Sequence, residues 1–143
     1  MYRKILVALD NTATDVAVVE HILELARLCQ SELLLVHVAD GFAARHYHQL
    51  NMAESEEMRD DRAYLERVAG EMRGGGLTVR THLAMGDPST ELLKTLVAEE
   101  CDLIALTTHG HKLLGDIVHG STIDKVRHNT SVPLLVVRAK KAV

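Results

Sequence analysis

Aromatic side chains are scarce in this chain: 143 residues hold no tryptophan, three tyrosines and one phenylalanine. Single-stranded nucleic acids stack their bases on aromatic platforms, so this set argues against such a ligand. Basic charge is not in excess either. Sixteen lysines and arginines stand against twenty acidic residues, and a formal charge of −4 leaves no electrostatic footprint for DNA or RNA. Long apolar runs are also lacking. Met1-Tyr2-Arg3-Lys4 opens like a signal n-region, but the run behind it, Ile5 to Leu9, stops at Asp10. Signal h-regions and membrane spans both need more. The two cysteines, Cys29 and Cys101, form no C-x-x-C, and without a secretory signal both read as reduced, semi-buried thiols. A cytoplasmic protein with no nucleic-acid and no membrane partner is the expectation.

What is present is an ordinary globular balance, 47% apolar and 25% charged, at a length that suits one domain over residues 1–143. No repeat, linker or low-complexity tract interrupts it. Short β-branched or Leu-rich runs lie at Lys4–Leu9, Glu32–Val38, Leu77–Leu83, Leu103–Thr107 and Pro133–Arg138. The first, second and fourth are almost continuously apolar, as strands buried on both faces of a parallel sheet must be. The third alternates and suits a more exposed position.

Helical patterns fall between them. Val16, Val19, His21–Leu23, Ala26 and Leu28 form a first stripe, with Thr12 or Thr14 as N-cap. A charged amphipathic helix runs from Met52 to about Met72 and stops at Gly74-Gly75-Gly76. Pro88 opens a third helix, with Leu92, Leu93, Leu96 and Val97 facing inward. A fourth runs from Ser121 to about His128. Alternation of strand and helix implies parallel strands with right-handed crossovers. Ligands of such sheets bind beyond the carboxyl ends of the strands, where the strand order switches.

Asp10 follows the first strand, and no glycine accompanies it, so the G-x-G-x-x-G dinucleotide fingerprint is absent. Asp10 can hold a ribose hydroxyl, or a metal through water; it can equally cap the following turn. After the fourth strand, Gly110, Gly115 and Gly120 recur at five-residue spacing and lead into Ser121-Thr122. Glycines let backbone N–H groups turn toward an anion, and a helix N-terminus adds its positive end. Gly115-x4-Gly120-Ser121-Thr122 lacks the lysine of a Walker A loop. Ser121-x-x-Asp124 also reads as a capping box. His46-Tyr47-His48 and His109-Gly110-His111 are H-x-H pairs without an assignable third ligand and read as solvated or structural, while His21 and His37 read as satisfied core-edge residues. No G-x-S-x-G elbow is present. A phosphoacceptor receiver shares this layout, but here the third strand ends His82-Leu83-Ala84-Met85-Gly86, with Asp87 after it, and no lysine follows the closing strand until Lys140.

Gly110, nine residues, then Gly120-Ser121 resembles the second half of the G-x2-G-x9-G-[S/T] motif of the universal stress protein family. The resemblance runs the full length. Lys4 to Asp10 is similar to its first strand, Leu34 to Val38 to its second, and Gly86-Asp87-Pro88 to the turn before its third helix. Cys101 to Gly110 is similar to its fourth strand and loop, and Ser131 to Arg138 to its closing strand. The resemblance implies a Rossmann-like, adenine nucleotide alpha hydrolase-like α/β domain with a five-stranded parallel sheet of order 3-2-1-4-5 and helices on both faces. It implies a stress-response sensor or regulator that binds an adenine nucleotide, ATP with Mg2+; no enzyme is expected, because the segment offers no recognisable general base or water-positioning residue. By the resemblance, Asp10 contacts ribose or metal. Ala8 and Val38 line the adenine, and Gly110, Gly120, Ser121 and Thr122 hold the phosphates. It also implies a homodimer joined through the closing strand, Pro133–Arg138. Thr107 stands where the motif has its first glycine. Its extra Cβ would narrow the site, or its hydroxyl would donate a hydrogen bond. Some family members bind no ATP, so the alternative function is a nucleotide-free dimeric interaction scaffold on the same fold.

Overall fold

The three apolar runs become the centre of a sheet. In the computed structural model, which describes residues 1–40, 56–108 and 122–139, β1 (Lys4–Ala8) lies between β2 (Glu32–Asp40) and β4 (Leu103–Thr108). β3 (Val79–Gly86) and β5 (Leu134–Arg138) form the edges, so the order is β3-β2-β1-β4-β5 with every pair parallel. Ile5 stands level with Leu33 on one side and Leu103 on the other. This is the expected α/β architecture, with the order switching at β1.

Pleating divides each central strand between two cores. Ile5, Val7, Leu33, Leu35, Leu103 and Ala105 face α1 (Asp15–Cys29) and α2 (Glu56–Gly74). Leu6, Leu34, Val36, Ile104 and Leu106 face α3 (Pro88–Ala98) and α4 (residues 122–128), where Leu92, Leu96 and Val126 meet them. Burial on both faces is why these runs lack polar alternation. Edge strand β3 does alternate, with Arg80 and His82 exposed.

Several helix faces are rotated from the expected ones. Val16, His21 and Leu28 of α1 are exposed, while Ile22 and Ala26 of the expected stripe are buried together with Ala17 and Val18. Leu28 is two residues from Ala26, about 200° around a helix of 3.6 residues per turn, so both cannot face inward. On α3, Leu92 and Leu96 are buried and Leu93 half-buried, but Val97 is exposed. Thr95 takes the inner position, its hydroxyl donating to the Glu91 carbonyl at 2.8 Å, so the helix supplies the partner that burial requires. β3 begins at Val79 rather than Leu77. The turn before it, with Gly76 at φ 93°, uses the intervening residues to reverse the chain. The helix expected from Met52 is described from Glu56; its first four residues lie outside the described residues.

Candidate functional site

Beyond the carboxyl ends of β1, β2 and β4, the strands diverge around a cleft of about 350 Å3. Ala8, Leu9, Asp10 and Thr12 line it from β1 and its loop, and Val36, His37 and Val38 from β2. Pro88 and Leu92 contribute from α3, Leu106 and Thr107 from β4, and Thr122 and Ile123 from the start of α4. One wall is therefore apolar: Val36, Val38, Pro88, Leu92, Leu106 and Ile123. Asp10, Thr12 and Thr122 add oxygen-bearing side chains to the lining. Asp10 is the one acidic residue among the described lining residues. A slot that desolvates a flat heterocycle beside a few oxygen donors suits a small polar ligand.

The structure brings together Ala8, Asp10, Val38, Thr107 and Thr122 of the residues expected from sequence. Gly110, Gly120 and Ser121 lie outside the described residues, as do both H-x-H pairs and the Ser121 half of the capping box. Among the described residues, no group of three or more His, Cys, Asp or Glu could hold a metal ion, and no helix is long and apolar enough to cross a membrane.

Strand alternation decides where Thr107 points. Leu106 packs into the α3-side core, so the next side chain leaves the opposite face of the sheet. Its neighbour across the β4–β5 pair, Val137, packs against the α1-side core. Thr107 meets the cleft through its backbone, and the Cβ expected to narrow the site lies on the other face. Its hydroxyl is buried and has no hydrogen-bond partner among the described residues.

The turn into α3 sets the position of Pro88 and Leu92. Gly86 takes φ 135°, a conformation L residues rarely adopt, and a Cβ there would press on Glu91 at 3.3 Å. Asp87 then caps α3. It accepts from the Ser89 hydroxyl at 2.7 Å, the Thr90 amide at 3.0 Å and the Thr90 hydroxyl at 2.8 Å. These bonds, from Ser89 first and then Thr90, draw its carboxyl down to about 2.

The loop after β1 carries a group of residues that sequence reasoning missed. Thr14 occupies the N-cap of α1 but makes no side-chain cap bond, and the Thr12 hydroxyl pairs with that of Thr14 at 2.5 Å. The organising residue is Asp15, only 1% exposed. Its carboxylate accepts from the Asp10 amide at 2.9 Å, the Asn11 amide at 2.9 Å and the Tyr64 hydroxyl at 2.6 Å. Burial, then this bond to Asp15, raises the Tyr64 phenol well above its ordinary value. The Asn11 side-chain amide donates to Asp61 at 2.7 Å. The other Asp61 oxygen lies 3.3 Å from His37 Nε2, and His37 Nδ1 lies 2.8 Å from the Leu9 carbonyl. His37 is thus a satisfied core-edge residue, whereas His21 is exposed. A sequence signal for this cluster exists: Asp61 is an acid inside the apolar stripe Met58, Leu65, Val68 and Met72 of α2.

Comparison with known proteins agrees with this architecture. The family model described as the universal stress protein family matches residues 1–138. Universal stress protein MJ0577 of Methanocaldococcus jannaschii is 26% identical, over 99% of this chain and 98% of that protein. The solved structure of MJ0577 superposes with a TM-score of 0.83 and covers 99% of each chain. A universal stress protein solved in complex with cAMP shares the fold at 16% identity, with a TM-score of 0.70 over 97% of this chain and 98% of that one. So does one from Archaeoglobus fulgidus in complex with dAMP, at 18% identity and a TM-score of 0.70 over 95% and 98%. The chain belongs to the universal stress protein family.

Proposed function

We propose that this protein binds an adenine nucleotide, ATP with Mg2+, in the cleft beyond β1, β2 and β4, and acts as a cytoplasmic sensor or regulator of the stress response rather than as an enzyme. The observation that carries this reading is the meeting of Ala8, Asp10 and Thr122 with Val38 and its apolar neighbours at the strand-order switch. The fold relatives solved with cAMP and dAMP support the same ligand class. In this reading the adenine ring lies along Ala8 and Val38, with Val38 using its backbone. The backbone at Thr107 lies under the ribose, and Asp10 reaches a ribose hydroxyl or the ion. Gly110, Gly120, Ser121 and Thr122 hold the phosphates.

A magnesium ion fits the donor set only as part of the nucleotide complex. One carboxylate, Asp10, lines the described cleft, and Mg2+ commonly takes one or two carboxylates together with phosphate oxygens and water. Cytoplasmic placement rests on the sequence, in which Cys29 and Cys101 form no C-x-x-C and read as reduced thiols.

The experiment is nucleotide analysis, after heat release, of protein purified without added ligand. Co-purifying adenine nucleotide is the expected result. No nucleotide, and no thermal shift at millimolar ATP, would transfer the reading to the second function, a nucleotide-free dimeric scaffold. That alternative has its own observation: β5 ends the sheet with Val136 exposed, a surface for a homodimer through Pro133–Arg138.

A further inference from the structure

The segment from Asp10 to Ala13 is a thin wall. On one side lies the cleft lined by Asp10 and Thr12. On the other lies a second hollow of about 360 Å3 between α1 and α2, lined by Asn11, Thr12, Ala13, Asp15, Val19 and Tyr64. Thr12 borders both. A wall between two hollows has little core packing to fix it, so its position depends on hydrogen bonds. The carbonyls of Thr12 and Ala13 accept from the first amides of α1, and the bonds from the first two amides of the wall converge on one buried group. The Asp15 carboxylate takes the amides of Asp10 and Asn11 and the Tyr64 hydroxyl together. Asn11 sits at φ 61°, an uncommon conformation for a residue other than glycine, and persists there because its amide is held by Asp15 and its side chain by Asp61.

We infer that Asp15 is a positioning residue of the cleft, its carboxylate fixing the Asp10–Asn11 backbone so that Asp10 is presented to the nucleotide, with Tyr64 and Asp61 anchoring the clasp to α2. The inference rests on the nucleotide reading above. Charge and geometry both matter here. A carboxylate offers two oxygens to a pair of adjacent N–H groups, and a buried acceptor of that kind forms the stronger class of hydrogen bond. An asparagine in its place offers one oxygen and turns an NH2 toward a backbone N–H.

Two measurements on Asp15→Asn and Tyr64→Phe test it. Amide hydrogen exchange reads the clasp directly: Asp10 and Asn11 amides should be protected in wild type and lose protection in Asp15→Asn, while β1 and β2 amides stay protected. Titration with ATP and Mg2+ reads the consequence: Asp15→Asn should weaken binding about tenfold, and Tyr64→Phe by less, as expected for loss of one charged hydrogen-bond acceptor or one of its donors. A double-mutant cycle separates positioning from general loosening. In an Asp10→Ala background, Asp15→Asn should cost no further affinity. Equal losses in both backgrounds, or an Asp15→Asn protein that binds like wild type, would overturn the positioning role alone. If Asp15→Asn fails to fold, the same cycle with Tyr64→Phe decides. A wild type with protected Asp10 and Asn11 amides but no nucleotide binding would instead overturn the nucleotide reading and, with it, this one.

Discussion

Thr107 and Val137 stand side by side across the β4–β5 pair and share the α1 face of the sheet. The threonine that replaces the motif glycine therefore turns its side chain away from the cleft and leaves a buried hydroxyl unpartnered among the described residues. Thr107→Val should raise stability by about 1 kcal/mol, because it removes a desolvated polar group and keeps the shape. ATP affinity should not change. Thr107→Gly should lose roughly 1 kcal/mol to the larger unfolded ensemble and lost packing, again without tightening ATP. Chemical denaturation and calorimetry on both variants check this. Weaker ATP binding by Thr107→Val would place the hydroxyl on the ligand.

Asp87 links α3 to acid stability. Its carboxyl is held at about 2, below the ordinary 3.8, by Ser89 and Thr90. A group lowered on folding contributes stability that is complete above its unfolded value and lost as pH falls through its folded value. Asp87→Ala should cost about 1 kcal/mol at neutral pH, as loss of an N-cap does. The gap from wild type should narrow between about pH 4 and pH 2. Denaturant midpoints across that range would show it, and a gap that stays constant would contradict the capping account.

The exposed edge gives the assembly prediction. β5 has β4 on one side and no described strand on the other, and Val136 is 42% exposed. Pro133, ahead of the strand, has no amide to donate, as suits an edge. Two copies paired antiparallel about a two-fold axis would cover both edges. Wild type should sediment as a dimer and Val136→Lys as a monomer. A monomeric wild type at about 50 μM, well above the range of a stable dimer, would end this account.

Catalysis should be weak or missing. Asp10 is the only acidic side chain at the described cleft, and in the proposed function it is engaged with ribose or the ion rather than with an attacking water. In the sequence that follows β4, His109 and His111 are the candidate general bases. ATP turnover above about one per second, lost in His109→Ala, would make the protein an enzyme.

Which strands lie inside the sheet was legible because burial on both faces writes itself as unbroken runs at Lys4–Leu9, Glu32–Val38 and Leu103–Thr107, and edge exposure as alternation in β3, whereas the order itself came from the family resemblance. Helix faces were less legible. Val16, Leu28 and Val97 are apolar yet exposed, since a residue two positions off the buried stripe points outward whatever its hydrophobicity. Asp10 could be placed at the cleft from the end of the first strand, whereas Ala8 and Val38 were placed there by the family resemblance. The clasp could not, because Asp15 reads as an ordinary acid in a first helical turn, and its partner Tyr64 lies 49 residues away. The direction of Thr107 also needed the structure, since the packing of Leu106 and the pairing with Val137 show which face it takes.

Calorimetric titration of ATP with Mg2+ into wild type and into Ala8→Leu tests nucleotide binding in the cleft most directly. Ala8 packs at the edge of the α3-side core and lines the floor of the cleft. A leucine there fills the space assigned to adenine, while the sheet retains its pairing. Saturable binding by wild type, weakened at least about tenfold in a folded Ala8→Leu protein, is the predicted result. No binding by wild type, or equal binding by both proteins, would contradict it.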